Sequence, residues 1–415
     1  MGSPLKIPSR TRPPDFPQLS EILQTPAVKD ALQWFSRERV WINDQHVQLC
    51  RVPAPTFLEG RRAEWMVNAF RTLGWEARID RGGNVIASPE PHRGSCVALT
   101  AHLDTVLAPR VPEDIRIDPD GTLRGPGVSD NGAGLAALLA IAKLWKSAPP
   151  LAGGASLLLV ANVGEEGEGN LSGMRYLCHQ SALAERIRSF VVLDGPATSH
   201  ITSQALASRR FEVTLQGPGG HSWSDFGTAN PVHALSRAIS SFTDDPRVLA
   251  AGPRCSWNFA MLEGGSSINS IPADARTKID IRAESPERIE ELVVALTNSV
   301  GAAVAVENDR ASSGRISPRI REIGARPGGR LADDAPILKF VKAVDAHLGI
   351  RSQIDCASTD ANIPLSMSLP AISIGAGGRG GGAHTPTEWY HPEGREVGLR
   401  RILLTLALLL NEAAA

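Results

Sequence analysis

Three apolar runs that each stop at an imidazole or a carboxylate constrain this chain more than any other feature. Val97-Ala98-Leu99-Thr100-Ala101 runs into His102-Leu103-Asp104. Ser156 to Val163 ends at Gly164-Glu165-Glu166-Gly167, and Phe190-Val191-Val192-Leu193 ends at Asp194-Gly195. Between the first two, Gly125-Pro126-Gly127-Val128-Ser129-Asp130-Asn131-Gly132 opens a long apolar stretch, Leu135 to Trp145, that reads as a helix buried against a sheet. Short apolar runs bounded by turn residues read as buried strands. Strands alternating with helices build a largely parallel sheet. Open α/β sheets carry their sites at the carboxyl ends of the strands, where these polar residues fall.

The polar residues favour a metal site over a solvated face. His102 and Asp104 are two apart at a strand end, so alternation puts both on one side. A metal-bound imidazole usually gives its other ring N–H to an oxygen partner. Asp104 is placed to supply that partner, or to buttress a neighbouring backbone; alone, the pair would pass for a surface His beside a surface Asp. Asp130 alone would be a helix N-cap. Capping does not account for Gly125-x-Gly127, which lets backbone come close to a shared carboxylate. Two adjacent carboxylates, Glu165 and Glu166, at the end of an apolar strand are costly without a cation or hydrogen bonds. Adjacent side chains diverge, so one can bind metal while the other faces a water. Asp194 ends the next strand, and His384 lies in Gly380-Gly381-Gly382-Ala383-His384-Thr385-Pro386-Thr387-Glu388, whose glycines suggest backbone packed around a site. No Gly-Lys-Ser/Thr follows, which discounts a phosphate loop. The candidate ligands are therefore His102, Asp130, Glu166, Asp194 and His384. One carboxylate shared by two ions, with a His and a carboxylate on each, fits N/O-ligated zinc. Paired ions activate a water and polarise a carbonyl together. Glu165 is left free as general base and acid.

The rest of the chain changes character twice. Pro26 to Leu49 carries apolar residues at helical spacing, and a helix is expected from Glu59 to Leu73 with Arg61-Arg62 on its solvated face. Ala77 to Ala87 reads as a hairpin turning at Gly82-Gly83-Asn84. Gly173 to Arg188 is expected as a helix. From Thr202 to Ile323 the pattern becomes alternating strands with two helices: Ser208–Gln216, Trp257–Leu262, Ser267–Ile271, Ala275–Arg282 and Ala302–Glu307 as strands, Pro231–Phe242 and Pro286–Val300 as helices. This predicts an α+β insert. The expected division is a disordered arm over 1–25, a discontinuous metal-binding domain over 26–201 and 324–415, and the insert over 202–323.

Composition narrows the partners. The 415 residues suffice for more than one domain, and the formal net charge of −1 carries no electrostatic footprint for nucleic acid or a membrane surface. No apolar run approaches the roughly 20 residues that span a bilayer. The start, Met1 to Pro17, lacks the apolar segment of a secretory signal. The 5 Cys are scattered without a Cys-x-x-Cys pair, which suggests buried thiols in a reducing cytoplasm.

Taken in order, Ala101-His102-Leu103-Asp104, Gly127-Val128-Ser129-Asp130-Asn131, Gly164-Glu165-Glu166-Gly167, Asp194, Gly219-Gly220-His221-Ser222, Asn269-Ser270-Ile271-Pro272 and His384 resemble the co-catalytic dizinc peptidase and deacylase family. That family includes peptidase T, carboxypeptidase G, acetylornithine deacetylase, succinyl-diaminopimelate desuccinylase and the aminoacylases. The resemblance covers nearly the whole chain, from Val52 onward. It implies a zinc-peptidase-like, mostly parallel sheet flanked by helices, with an inserted α+β lid used for homodimerisation. It implies that Asp130 bridges two zinc ions, with Co2+ or Mn2+ as substitutes; His102 and Asp194 complete one ion, Glu166 and His384 the other. Asp104 would support His102. Glu165 would take a proton from the attacking water and pass it to the leaving amine. His221 would reach the partner subunit's site and steady the oxyanion. Asn269 would bind substrate, and Arg326, with Arg330 competing, would hold a substrate carboxylate. Relatives often carry Lys where this chain has Gly132, a departure expected to affect packing only. Asp360 would support the site from a substrate loop. The expected activity is hydrolysis of an amide bond in small peptides, di- or tripeptidase-like. An N-acyl-amino-acid deacylase is the alternative. A relative that has lost catalysis ranks lower, because Glu165 is kept beside every ligand; a serine hydrolase ranks lower still, for want of a Gly-x-Ser-x-Gly elbow.

Overall fold

The computed structural model describes residues 16–89, 94–147 and 155–412. Its largest sheet holds nine strands among the described residues. Four of them form the parallel centre: Ser156–Asn162, Cys96–His102, Ile187–Leu193 and Ala371–Ile374 lie side by side in that order. Their residues are almost all buried, as parallel strands covered on both faces must be. The hairpin Glu76–Ile79 with Val85–Ser88 adds antiparallel to one side, as the Gly/Asn turn predicts. Two helices cover the sheet with unbroken apolar surface: Gly132–Ser147, and Arg395–Glu412 near the end of the chain.

A second sheet has its own core. Cys255–Gly264, Asp274–Ala283, Ala207–Gln216 and Ser317–Arg326 pair antiparallel in that order. Pro231–Thr243 and Pro286–Arg310 pack on one face, burying Val213, Leu215, Phe242, Ile279 and Leu292. The chain enters this unit from the main-sheet strand His200–Ala205 and leaves it into Gly329–Arg330, which pairs back onto that strand. Thr202 therefore belongs to the main sheet, and the last strand of the second sheet runs to Arg326.

Several expectations change. Pro17–Gln24, assigned to a disordered arm, is a helix with Leu19 buried; residues 1–15 of that arm lie outside the described residues. Ala302–Glu307 is not a strand but the continuation of the Pro286–Arg310 helix. Its buried residues Leu292, Leu296, Val300, Ala303, Val304 and Glu307 keep one helical face against the sheet straight through Gly301. Among the described residues this helix alone is long and apolar enough to cross a membrane, yet that face lies in the core of the second unit. The helix expected over Gly173–Arg188 stops at His179. Arg62 is fully buried instead of solvated. Its guanidinium donates to the carbonyls of Val52 at 2.9 Å and Leu103 at 2.8 Å, holding the backbone between His102 and Asp104. Cys50, Cys96 and Cys178 are buried, and Cys255 and Cys356 are partly buried.

Candidate metal centre

The carboxyl ends of three central strands deliver His102, Glu165-Glu166 and Asp194, and the loop beyond Ala371–Ile374 delivers His384. Their ligand atoms gather in overlapping groups. His102, Asp130 and Asp194 form one group; Asp130, Glu166 and His384 form a second; all atoms within a group lie within 4.8 Å of one another. His102, Glu165 and Glu166 satisfy the same limit.

Asp130 stands between the imidazoles. Its Oδ1 is 3.0 Å from His102 Nε2, and its Oδ2 is 3.1 Å from His384 Nε2. Glu166 Oε1 is 2.8 Å from the same His384 nitrogen. The ring of His102 is oriented from behind: its Nδ1 is 2.9 Å from the carbonyl of Asp104, an oxygen that only accepts. Nδ1 therefore carries hydrogen, and in the neutral ring Nε2 holds the lone pair that faces Asp130. The Asp104 carboxylate has a different task. It accepts from the backbone N–H of Glu165 at 3.0 Å, from that of Glu166 at 2.9 Å and from Thr56 Oγ1 at 3.0 Å. Asp104 fills both roles open to it: its carboxylate buttresses the backbone while its Oδ1 stays 3.6 Å from His102 Nδ1, and its carbonyl orients the ring.

Electrostatics mark the cluster as short of positive charge. Burial and the neighbouring Asp130 hold Asp194 well above the usual carboxylate range. Burial and the adjacent Glu165 push Glu166 up to about 7. Asp130 is buried too, but its contacts with His102 and His384 outweigh that and hold it low. The bond to Asp130 and the charge of Glu166 push His384 up to about 9. Among the described residues no side-chain donor reaches Asp194. Three carboxylates converging on two imidazoles, only one of which is half exposed, need protons or cations. Their oxygen and nitrogen donors suit zinc-like ions.

Glu165 sits apart from those contacts. Its Oε1 accepts from Arg326 at 3.0 Å, and both side chains are buried. The Arg326 fork also donates to the Glu165 carbonyl and to Ser358 Oγ. The guanidinium expected to hold a substrate carboxylate is thus engaged by Glu165. Arg330 is exposed and pairs with Asp333 at 2.9 Å. Asp360 lies buried under the site, bonded to Asn162, and burial followed by the charge of Glu165 pushes it up to about 7. His221 and Asn269 are not brought to the cluster by their own chain: both are near the surface of the second unit, joined through the short Gly220–His221 and Ser270–Ile271 pairing.

Some supporting residues carry no readable signal in the sequence. Glu59 is buried and accepts from the N–H of Gly164 at 3.1 Å. His46 and Glu388 both bond the backbone of the Asp130 loop, at Val128 and Gly127. Gly132 has a clear reason: a Cβ there would meet Cys50 Sγ at 2.5 Å and the Gly127 carbonyl at 2.5 Å, so no side chain fits. A Cβ on Gly380 would meet Ser129 Oγ at 2.3 Å, which is where the glycine run closes on the Asp130 loop.

The main sheet is mixed, not mostly parallel as expected: its centre is parallel and antiparallel pairs flank it. Candidate metal ligands at its strand ends and an inserted second sheet complete the framework of the site. The family model described as peptidase family M20/M25/M40 matches residues 98–408. The chain belongs to that family and is a hydrolase. It is 27% identical over 282 residues to succinyl-diaminopimelate desuccinylase of Paracoccus denitrificans, covering 63% of this chain and 72% of that protein. A tripeptidase from Staphylococcus aureus has the same fold, with a TM-score of 0.72 at 19% identity over 89% of this chain and 97% of that one. A Bacillus subtilis protein described as a dinuclear metal-binding peptidase of the M20 family superposes with a TM-score of 0.66 at 15% identity, over 91% of this chain and 99% of that one.

Proposed function

We propose that the chain is a dizinc hydrolase of small peptides that works as a homodimer in the cytoplasm. The observation that carries this reading is the position of Asp130, whose two oxygens face two different imidazoles at 3.0 and 3.1 Å. In this reading His102 and Asp194 hold one ion, Glu166 and His384 the other, and Asp130 is shared. Bound ions of this kind acidify a water and polarise the scissile carbonyl. Glu165 takes the proton from the attacking water on its carboxylate and returns it to the leaving nitrogen. Burial raises the Glu165 carboxyl above the ordinary glutamate range and the Arg326 charge opposes that rise; Arg326 also orients Glu165, and to hold a substrate carboxylate it must first release it. Asp104 holds the Glu165-Glu166 backbone and the His102 ring together, so base and ligands move as one piece.

The second unit supports the dimer. Cys255–Gly264 is an edge strand with Leu262 exposed, and Trp223 and Phe226 beside His221 are 86% and 87% exposed. Open edges and clustered apolar side chains invite a partner surface. His221 and Asn269 then serve the partner's site, the imidazole steadying the oxyanion and the amide binding substrate. Likeness to a desuccinylase favours a second reading, an N-acyl-amino-acid deacylase.

Two experiments test these readings. Protein loaded with zinc, cobalt or manganese is assayed on dipeptides, tripeptides and N-acetyl and N-succinyl amino acids. Fastest turnover of unblocked peptides is expected; fastest turnover of the N-acyl compounds selects the deacylase, and none at all with metal bound makes the chain an inactive relative. In the second, His221→Ala is expected to lower kcat by about 100-fold or more with metal content unchanged. Mixing it with Glu165→Ala should restore part of the activity, because one of the two sites in a mixed dimer is intact. No rescue in demonstrated mixed dimers removes the shared site.

A further inference from the structure

Glu388 follows His384 by four residues, and its side chain is buried against the loop that carries Asp130. Its Oε2 accepts from the Gly127 N–H at 2.7 Å. Its Oε1 accepts from the N–H groups of Ser129 and Asp130, both at 2.8 Å. Its own carbonyl takes the Gly125 N–H at 3.0 Å. One residue beside the His384 loop thus collects four backbone donors from the Asp130 loop. Hydrogen bonds to a carboxylate are about twice as strong as neutral ones.

Other buried groups hold the same loop. Arg395 donates to His46 Nδ1 at 2.6 Å, and a guanidinium can only donate. His46 is therefore neutral with hydrogen on Nε2, which it gives to the Val128 carbonyl at 2.7 Å. Asn131 Nδ2 donates to the carbonyl of Leu193, the residue before Asp194, at 2.7 Å. Buried polar contacts thus hold the Asp130 loop at several points, and Glu388 fastens its backbone to the segment that bears His384.

We propose that Glu388 is a positioning residue that sets the spacing of Asp130 and His384, and with it the affinity for the cation these two residues share with Glu166. This rests on the two-metal reading above. Glu388 touches none of the proposed ligand side chains; it acts through the backbone of the Gly125–Asn131 segment. The charge matters as well as the shape. In Glu388→Gln the amide oxygen can still accept from Ser129 and Asp130, but its NH2 faces the Gly127 N–H, donor against donor.

The test measures metal affinity by competition with a chromophoric zinc chelator, together with the metal-free thermal midpoint and separate kcat and KM, for wild type, Glu388→Gln, Glu388→Asp and Asp345→Asn. Asp345→Asn is the control for plain destabilisation: its carboxylate is buried on the Pro336–Leu348 helix and accepts from Arg401 Nε and Nη2, both at 2.7 Å. Glu388→Gln is expected to weaken binding of at least one zinc by about 10- to 100-fold. It should lower kcat more than it raises KM, with a metal-free midpoint no lower than that of Asp345→Asn. Glu388→Asp, which keeps the charge, should recover part of the affinity. Wild-type affinity in a folded Glu388→Gln overturns the proposal. So does an equal loss of affinity in Asp345→Asn, or failure of both Glu388 variants to fold, which assigns the residue to folding. A wild-type chain that binds no divalent cation sinks the two-metal reading instead.

Discussion

Glu165→Ala is expected to bind its metal ions as the wild type does and to lose about 100- to 10,000-fold in turnover, the scale on which positioned general bases work. Metal analysis alongside kcat checks it, and normal turnover in the variant removes Glu165 from the proton path. The substitution has a second effect that the geometry predicts. Glu165 and Arg326 form a buried pair at 3.0 Å. Removing one member of such a pair leaves an uncompensated charge and costs about 3–5 kcal/mol. Glu165→Ala should therefore unfold earlier than wild type, and adding Arg326→Met should recover much of that loss without recovering activity. The double variant separates the two roles: if stability does not return, the pair is not what the single substitution breaks.

Chelation is expected to abolish turnover and to leave a protein whose stability falls as pH rises. In the metal-free cluster Glu166 titrates near about 7 against an ordinary 4.5, and Asp194 lies well above its ordinary value. His384 is raised to about 9 from 6.5. In each case the folded chain holds a proton that the unfolded chain has released. Folded protein thus binds more protons across this window, and stability declines from about pH 5 to about pH 9. Asp130 is shifted downward and acts only at more acid pH. Divalent ions replace those protons. Adding zinc to the chelated protein should release protons into weak buffer near neutral pH, restore turnover and raise the thermal midpoint most at the alkaline end. A midpoint of the chelated protein that climbs across the same window contradicts this account, as does full activity after chelation.

The proposed ligands were legible because each stands where an apolar strand must stop, and a strand buried on both faces announces its end by the first residue that cannot stay dry. His102, Glu165-Glu166 and Asp194 share that signal, and the parallel centre of the sheet follows from the same runs. Asp104 was readable as a supporter, though not which of its oxygens does what; that depends on how the Glu165 backbone turns back over it. Arg62 misled, because an arginine on an amphipathic helix is normally wet, and only the fold shows that two carbonyls wait for it in the core. Ala302–Glu307 misled differently. Its valines and the glycine before it suggest a strand after a break, but helical packing on the second sheet outweighs local preference. Glu388 and His46 were invisible as supporters of the Asp130 loop. Their partners are backbone groups far along the chain, and backbone carries no residue code.

Arg326 closes the last strand of the second sheet, yet its side chain neutralises Glu165 on the first. The second unit is a module by topology but not by charge. A chimera that exchanges residues 202–323 between relatives would keep this arginine on the host side while changing the sheet that aims it. One that cuts after Arg326 would import the cation with its own scaffold. The seam between the two units therefore runs through the buried pair that contains the proposed general base, and grafts are better drawn at Leu206 and Pro327 than where the sequence pattern changes.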